Sequence, residues 1–185
     1  MDEIINASAP PGKSHKYAQR ERERRFLLAQ LPTDTAITRT AETTDRYLTN
    51  TRMRLRRSVE SADGESLTVY KLTQKVPARD GGQGLITTVY LTPEEYEALC
   101  AMPGRELRKT RHTILPFRID VFEGALSGLT MAEIEFPTDE TLRAFAAPAF
   151  AVADVTEDMR FTGGRLVITA PDELRSLLES FGIRA

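Results

Sequence analysis

The chain has 185 residues, of which 41% are hydrophobic and 28% charged, and its formal net charge is −2 at pH 7. This length predicts one domain, and the lack of a basic excess argues against a large nucleic-acid-binding surface. The single cysteine, Cys100, excludes an internal disulfide. Since no segment has the pattern of a membrane span or a signal peptide, we expect a cytoplasmic protein that binds neither membranes nor nucleic acid.

The predicted elements begin after residues 1–16, whose small and polar composition indicates a loose arm before a single domain over residues 17–185. Residues 92–95, Thr-Pro-Glu-Glu, combine a capping box with a proline that favours a helix start, and predict a helix to about Met102. The connections are too short for crossovers, so the strands should be antiparallel. Strands are predicted over 20–28, 46–49, 52–58, 66–76, 85–91, 105–115, 117–123 and 130–136, helices over 140–147 and 171–182, and a Gly-rich loop tip over 79–84.

Five strand-like segments carry polar or charged side chains at every second position, which places those side chains on one face of each strand. The sets are Glu21, Glu23 and Arg25; Arg52, Arg54 and Arg56; Lys71, Thr73 and Lys75; Lys109 and Arg111; and Glu133 and Glu135. Each set alone is typical of a solvated face, or of an edge strand protected by charge. Together they favour a sheet curled around a charged interior, where cations bind phosphate oxygens and carboxylates bind a hard metal ion.

The same segments resemble, in order, the motifs of the CYTH superfamily, also called triphosphate tunnel metalloenzymes. The similarities are residues 21–25 to ExExK, Tyr47-Leu48 to YL, 54–56 to RxR, 72–75 to LTxK, 109–111 to KxR, 120–122 with 133–135 to DxF and ExE, and 154–156 to EVT. The resemblance implies an α+β fold, namely an eight-stranded antiparallel β-barrel tunnel with a charged interior and a few flanking helices.

The resemblance also implies a metal-dependent hydrolase of small triphosphates, with inorganic tripolyphosphate as the first choice of substrate. By analogy with family members, Lys109 and Tyr47 would position or activate the attacking water. The substrate-binding residues that it implies are Arg25, Arg52, Arg54, Arg56, Lys71, Lys75, Lys109 and Arg111. The ligands that it implies for Mg2+ or Mn2+ are Glu21, Glu23, Asp120, Glu133, Glu135 and Asp154. We expect a monomer or a homodimer.

The chain departs from the family motifs in three ways. Arg25 replaces a lysine, Asp154 replaces a glutamate, and Ile86 and Thr88 stand where a middle strand usually carries acids. The missing acids weaken the case for a second metal ion. Two alternatives therefore stay open, a class IV adenylate cyclase and a protein that binds polyphosphate or nucleotides without turnover. We also expect the cations to repel one another, so that replacing Arg54 or Arg56 with alanine would leave the fold intact.

Overall fold

A computed structural model of the chain describes residues 17–76 and 84–184. The predicted arm over residues 1–16 lies outside the described residues, as does nearly all of the loop tip over 79–84. The strands are β1 (Gln19–Arg20), β2 (Glu23–Leu28), β3 (Arg39–Leu48), β4 (Met53–Ala62), β5 (Glu65–Val76), β6 (Leu85–Leu91), β7 (Gly104–Ile114), β8 (Phe117–Phe122), β9 (Thr130–Glu135) and β10 (Ala151–Asp154). The helices are α1 (Pro93–Cys100), α2 (Asp139–Ala144), α3 (Gly163–Leu166) and α4 (Pro171–Ser180), with 3-10 turns at Gly124–Leu126 and Met159–Phe161.

All of these strands belong to one antiparallel sheet with the order β1-β6-β5-β4-β3-β7-β8-β9-β2-β10. The predicted α+β class and antiparallel pairing are confirmed. The described sheet has ten strands instead of eight, and its pairing order runs from one edge to the other without closing. The number of strands differs from the prediction because the first predicted strand is interrupted at Glu21 and Arg22, and because the short strand β10 was not predicted.

The sheet is strongly curled. β1 is the edge strand next to β6, whereas β2 pairs with β9 and β10, yet only two residues separate β1 from β2. Moreover, Glu23 of β2 and Lys75 of β5 interact electrostatically although six strand pairings separate these strands in the sheet order. In a flat sheet, six spacings of about 4.8 Å would place the two strands about 29 Å apart.

Apolar side chains pack on the convex side of the sheet in two groups. In one group, α1 places Tyr96 against Leu48 and Leu55. The other group contains Phe26, Ile119 and further buried side chains of the strands β2, β7, β8 and β9. Thr92 caps α1 through both bonds of the predicted capping box, so the sequence signal for this helix is confirmed. Within residues 17–76 and 84–184, no helix combines the length and hydrophobicity that crossing a bilayer requires.

A third apolar group fills one end of the concave side. The segment from Met159 to Ser180, which contains a 3-10 turn, α3 and α4, is called the C-terminal closure below. It contributes Phe161, Leu166, Leu174 and Leu178, which are at most 2% exposed. Their partners on the sheet include Leu27, Leu107, Phe122 and Met131. The C-terminal closure therefore seals one end of the concave surface.

We predict that Leu178→Ala lowers the free energy of unfolding by about 2–5 kcal/mol, because it leaves a cavity where a fully buried side chain anchors α4. Denaturant unfolding measures the change. The matched control is Leu67→Ala on β5, where the leucine is 64% exposed and its loss should change stability little. Equal effects of the two variants would contradict the packing of α4 against the sheet.

Candidate functional site

Cross-strand pairing places the predicted charged sets on one face of the sheet. Residues directly opposite each other in an antiparallel ladder share a face. Asp45 lies between Arg56 and Leu107, and Glu133 lies between Arg25 and Arg118. The resulting concave surface, called the charged face below, includes Glu23, Arg25, Asp45, Tyr47, Arg54, Arg56, Lys71, Lys75, Lys109, Arg111, Arg118, Asp120, Glu133 and Glu135.

Two buried aspartates stand between the cations of this face. Asp45 is 1% exposed and accepts bonds of 2.6 and 2.7 Å from Arg56, while Arg54 Nε lies 3.4 Å away. Burial acts to raise the pKa of Asp45, but the charges of Arg56 and Arg54 outweigh it and leave the pKa below its usual range. The expected repulsion between cations is therefore wrong for Arg54 and Arg56, because a buried carboxylate compensates both.

Asp120 on β8 compensates a second pair of cations in the same way. It is 1% exposed, accepts two bonds of 2.6 and 2.7 Å from Arg111, and accepts a third bond from the buried Lys109. Lys109 Nζ also lies 4.0 Å from Asp45, and Arg111 donates to Glu133. The result is a continuous buried chain of alternating charges, called the ion-pair network below, which runs from Arg54 to Glu133.

Carboxylates gather at the other side of the charged face. Glu21 forms an ion pair with Lys75, and Glu23 lies 3.8 Å from Arg25. Burial raises the pKa of Glu23 to about 7, and the charges of Glu133 and Glu21 add to this effect. Glu23 is thus a carboxylate whose negative charge is not well compensated by its neighbours.

Other predicted ligands lie elsewhere or are already paired. Asp154 accepts a bond from Arg24, and its strand pairing with Phe26 places it on the convex side, away from Glu23. Glu135 is opposite Glu23 but is 67% exposed and paired with Arg118. No group of three or more His, Cys, Asp or Glu that could hold a metal ion occurs in the described part of the chain.

The remaining predicted residues border the network. Lys71 shares the face of Arg56 and lies 5.1 Å from the Tyr90 ring, whereas Arg52 precedes β4 and accepts a backbone bond from Lys75. A cavity of about 570 Å³ opens where β1, β6 and β9 approach one another. Its lining consists of Gln19, Arg20, Glu21, Arg22, Ile86, Thr88, Glu135 and Phe136.

The two predicted catalytic side chains differ in their surroundings. Tyr47 lies directly opposite Arg54 on β4 and interacts with its guanidinium. Burial raises the pKa of Tyr47, so the phenol keeps its proton at neutral pH. Burial lowers the pKa of Lys109, which is 6% exposed; Asp120 opposes this shift and the charge of Arg111 reinforces it. Tyr47 can position a ligand but is unsuited to remove a proton, while Lys109 is the better candidate for proton transfer.

Two residues of the charged face were not predicted. Asp45 lies two positions before Tyr47, and Arg118 lies two positions before Asp120. The same i and i+2 spacing that identified the other sets could have found both, because each precedes a predicted site residue on a strand.

Comparison with known proteins agrees with this geometry. An inorganic triphosphatase of Nitrosomonas europaea is 38% identical over an alignment of 76 residues, and the match covers 38% of this chain and 50% of that protein. The chain therefore aligns with only half the length of this curated relative. Two crystal structures of NE1496 match over most of the chain with a TM-score of 0.54. One, described as a hypothetical protein, is 31% identical and covers 82% of this chain and 99% of its own.

The second NE1496 structure, described as the inorganic triphosphatase, is 28% identical and covers 83% of this chain and 97% of its own. This chain belongs to the inorganic triphosphatase family. The resemblance found in the sequence is confirmed, although no family model matches the chain. In this member of the family, Ile86 and Thr88 lie opposite Lys75 and Thr73 on the charged face, so the strand β6 adds no acid there.

We predict that Asp45→Asn lowers the free energy of unfolding at pH 7 by about 3–5 kcal/mol, because it leaves buried cations without their partner. The folded-state pKa of Asp45 is depressed, so its stabilising effect is present at neutral pH and is lost as the pH falls through that pKa. The deficit of the variant should therefore shrink in acid. Urea unfolding at pH 7 and in acid measures it, with Asp34→Asn at an exposed aspartate as the control.

Proposed function

We propose that this chain hydrolyses small triphosphates, with inorganic tripolyphosphate as the substrate, inside a tunnel formed by the curled sheet. The observation that carries the proposal is the cluster of Arg54, Arg56, Lys109 and Arg111, which is held inside a concave surface by two buried aspartates. In phosphoryl transfer, charge spreads over the phosphoryl oxygens, so catalysis consists mainly of positioning and electrostatic stabilisation. The kinship with an inorganic triphosphatase supports the same reaction.

Unused hydrogen-bond donors on the charged face support an anionic ligand. The Nε atoms of Arg25, Arg54 and Arg118 are buried and have no hydrogen-bond partner among the described residues. A buried donor without a partner costs about 1–3 kcal/mol. Phosphoryl oxygens would satisfy these donors, since the planar guanidinium binds such oxygens at more than one point. The cavity beside Glu21 and Ile86 would admit the substrate opposite the C-terminal closure.

The family implies a divalent cation, and the carboxylate side of the charged face has the donor chemistry for one, although its acids now pair with Lys75, Arg111 and Arg118. Glu21, Glu23, Glu133 and Glu135 supply the oxygen ligands that Mg2+ or Mn2+ prefers. The pKa of Glu23, raised to about 7 by burial and by Glu133, marks a surplus of negative charge that a cation would neutralise. When bound, the ion would offset phosphate charge and help to orient water. Asp120 leaves the proposed ligand set because it is buried between Arg111 and Lys109, and Asp154 leaves it because it lies on the convex side.

The side chains around the cations suggest distinct roles. Arg56 and Arg111 are fixed by the bidentate bonds to Asp45 and Asp120, so they present a rigid surface to phosphate. Lys109 lies between them and would hold or move a proton of the attacking water. Tyr47 would orient Arg54. Lys71, Lys75 and Arg52 would extend the basic surface. The predicted monomer or homodimer and the single domain over residues 17–185 stay predictions.

Product analysis tests the function directly. The purified chain is incubated with tripolyphosphate or with ATP, each with Mg2+ or with Mn2+. We expect orthophosphate to be released from tripolyphosphate, and this release to stop when a chelator removes the metal. Cyclic AMP with pyrophosphate from ATP would indicate a cyclase instead. Tight binding of tripolyphosphate without any product would indicate a binding protein.

We further predict that Glu23→Gln lowers turnover by about 10²-fold, the effect typical of losing one strong electrostatic contributor, and shifts the metal response to higher concentration. Glu23 suits this test because its shortest ion pair is 3.8 Å, so its loss breaks no close pair. Rates are measured against Mg2+ and Mn2+ concentration. The control is Glu106→Gln, whose carboxylate pairs with Arg46 and is 40% exposed. Superimposable metal-response curves for wild type and Glu23→Gln would exclude Glu23 as a ligand.

A further inference from the structure

The C-terminal closure touches the charged face through a glycine. A Cβ atom added to Gly163 would lie 1.9 Å from the Tyr47 hydroxyl and 2.8 Å from the ring carbon that bears it. No real Cβ approaches other atoms this closely, so Tyr47 occupies the space that any side chain at this position would need. A Cβ added to the next residue, Gly164, meets nothing within 4 Å.

The backbone at Gly163 is held in place. Its carbonyl accepts the amide of Val167 at 3.1 Å, and the carbonyl of Thr162 accepts the amide of Leu166 at 2.8 Å. On either side of Gly163, Phe161 is 1% exposed and Leu166 is 2% exposed, both within one apolar group. A side chain at Gly163 would therefore displace the end of the Tyr47 ring in preference to the helix.

A displacement of Tyr47 would directly change the position of a cation on the charged face. Tyr47 lies directly opposite Arg54 on the neighbouring strand and interacts with its guanidinium, and Arg54 Nε lies 3.4 Å from Asp45 at one end of the ion-pair network. Arg25 supports the same junction, since its guanidinium donates to the carbonyls of Phe161, at 3.0 Å, and of Thr156. Arg25 thereby joins the sheet to the C-terminal closure, which is a use of the guanidinium that a lysine ammonium could not reproduce in full.

We propose that Gly163 is a positioning residue: its missing side chain lets the C-terminal closure seat the Tyr47 hydroxyl against Arg54, and so orients Arg54 for the triphosphate. This inference rests on the proposed function, since it concerns the same site. Gly163 itself does not contact the substrate in this proposal.

The test is a double-mutant cycle with Gly163→Ala, Tyr47→Ala and the double variant, and with Gly164→Ala as the matched control. Tripolyphosphate affinity is measured by calorimetry, and kcat and KM are measured in the same proteins. We expect Gly163→Ala to weaken affinity and kcat/KM about tenfold or more, the size of one lost polar contact with a charged group. Gly164→Ala should match wild type. In the Tyr47→Ala background, adding Gly163→Ala should change nothing further, because the colliding ring is gone.

Additive losses in the cycle, or equal losses for Gly163→Ala and Gly164→Ala, would overturn the proposal. If Gly163→Ala does not fold, the double variant should still fold like Tyr47→Ala, and its failure to do so would also overturn the proposal. A wild type that binds tripolyphosphate without hydrolysis would contradict the proposed reaction but not the inference. If the wild type does not bind it at all, the same cycle in thermal unfolding decides whether Gly163 and Tyr47 are coupled.

Discussion

The site depends on the compensation of buried cations by two aspartates. Asp45 and Asp120 are each 1% exposed and lie between Arg54, Arg56, Lys109 and Arg111. Without these carboxylates, the concave surface would contain several like charges taken out of water, which costs several kcal/mol per ion. With them, the cations keep fixed directions before any ligand arrives. Such preorganised charge is what electrostatic catalysis requires, because little reorganisation is left for the reaction itself.

This arrangement is possible only because the sheet is curled and one end is sealed. The continuity of the chain from β1 to β2 brings strands that are far apart in the sheet within two residues of each other. Leu27, Leu107, Phe122 and Met131 continue the same face as the charged side chains, but they pack against the C-terminal closure. Hydrophobic burial at this end offsets the cost of burying charge further along the same strands.

The sequence alone allowed the antiparallel α+β class, the helices α1 and α4 and the charged face to be predicted, because strand alternation and helix capping are local signals. Asp154 shows the limit of this reasoning. Its motif suggested a ligand, but a bulge in the pairing of β10 with β2 places it beside Arg24 on the convex side. Asp45 was missed because it is a single acid between Thr44 and Arg46, and its partners on β4 become visible only through strand register.

The charges of the interior are divided between two sides, and this division bears on the reaction. The strands β4, β5 and β7 bear most of the cations, while Glu21, Glu23, Glu133 and Glu135 lie on or beside β2 and β9. The strand β6 places Ile86 and Thr88 between these sides, opposite Lys75 and Thr73. Apart from Asp45 and Asp120, which pair with the cations, the acids of the charged face thus lie on one wall. In the proposed reaction, a triphosphate bound against the arginines would meet a metal ion from that wall alone. The proposal therefore includes one bound cation, while the opposite wall would bind the phosphate oxygens.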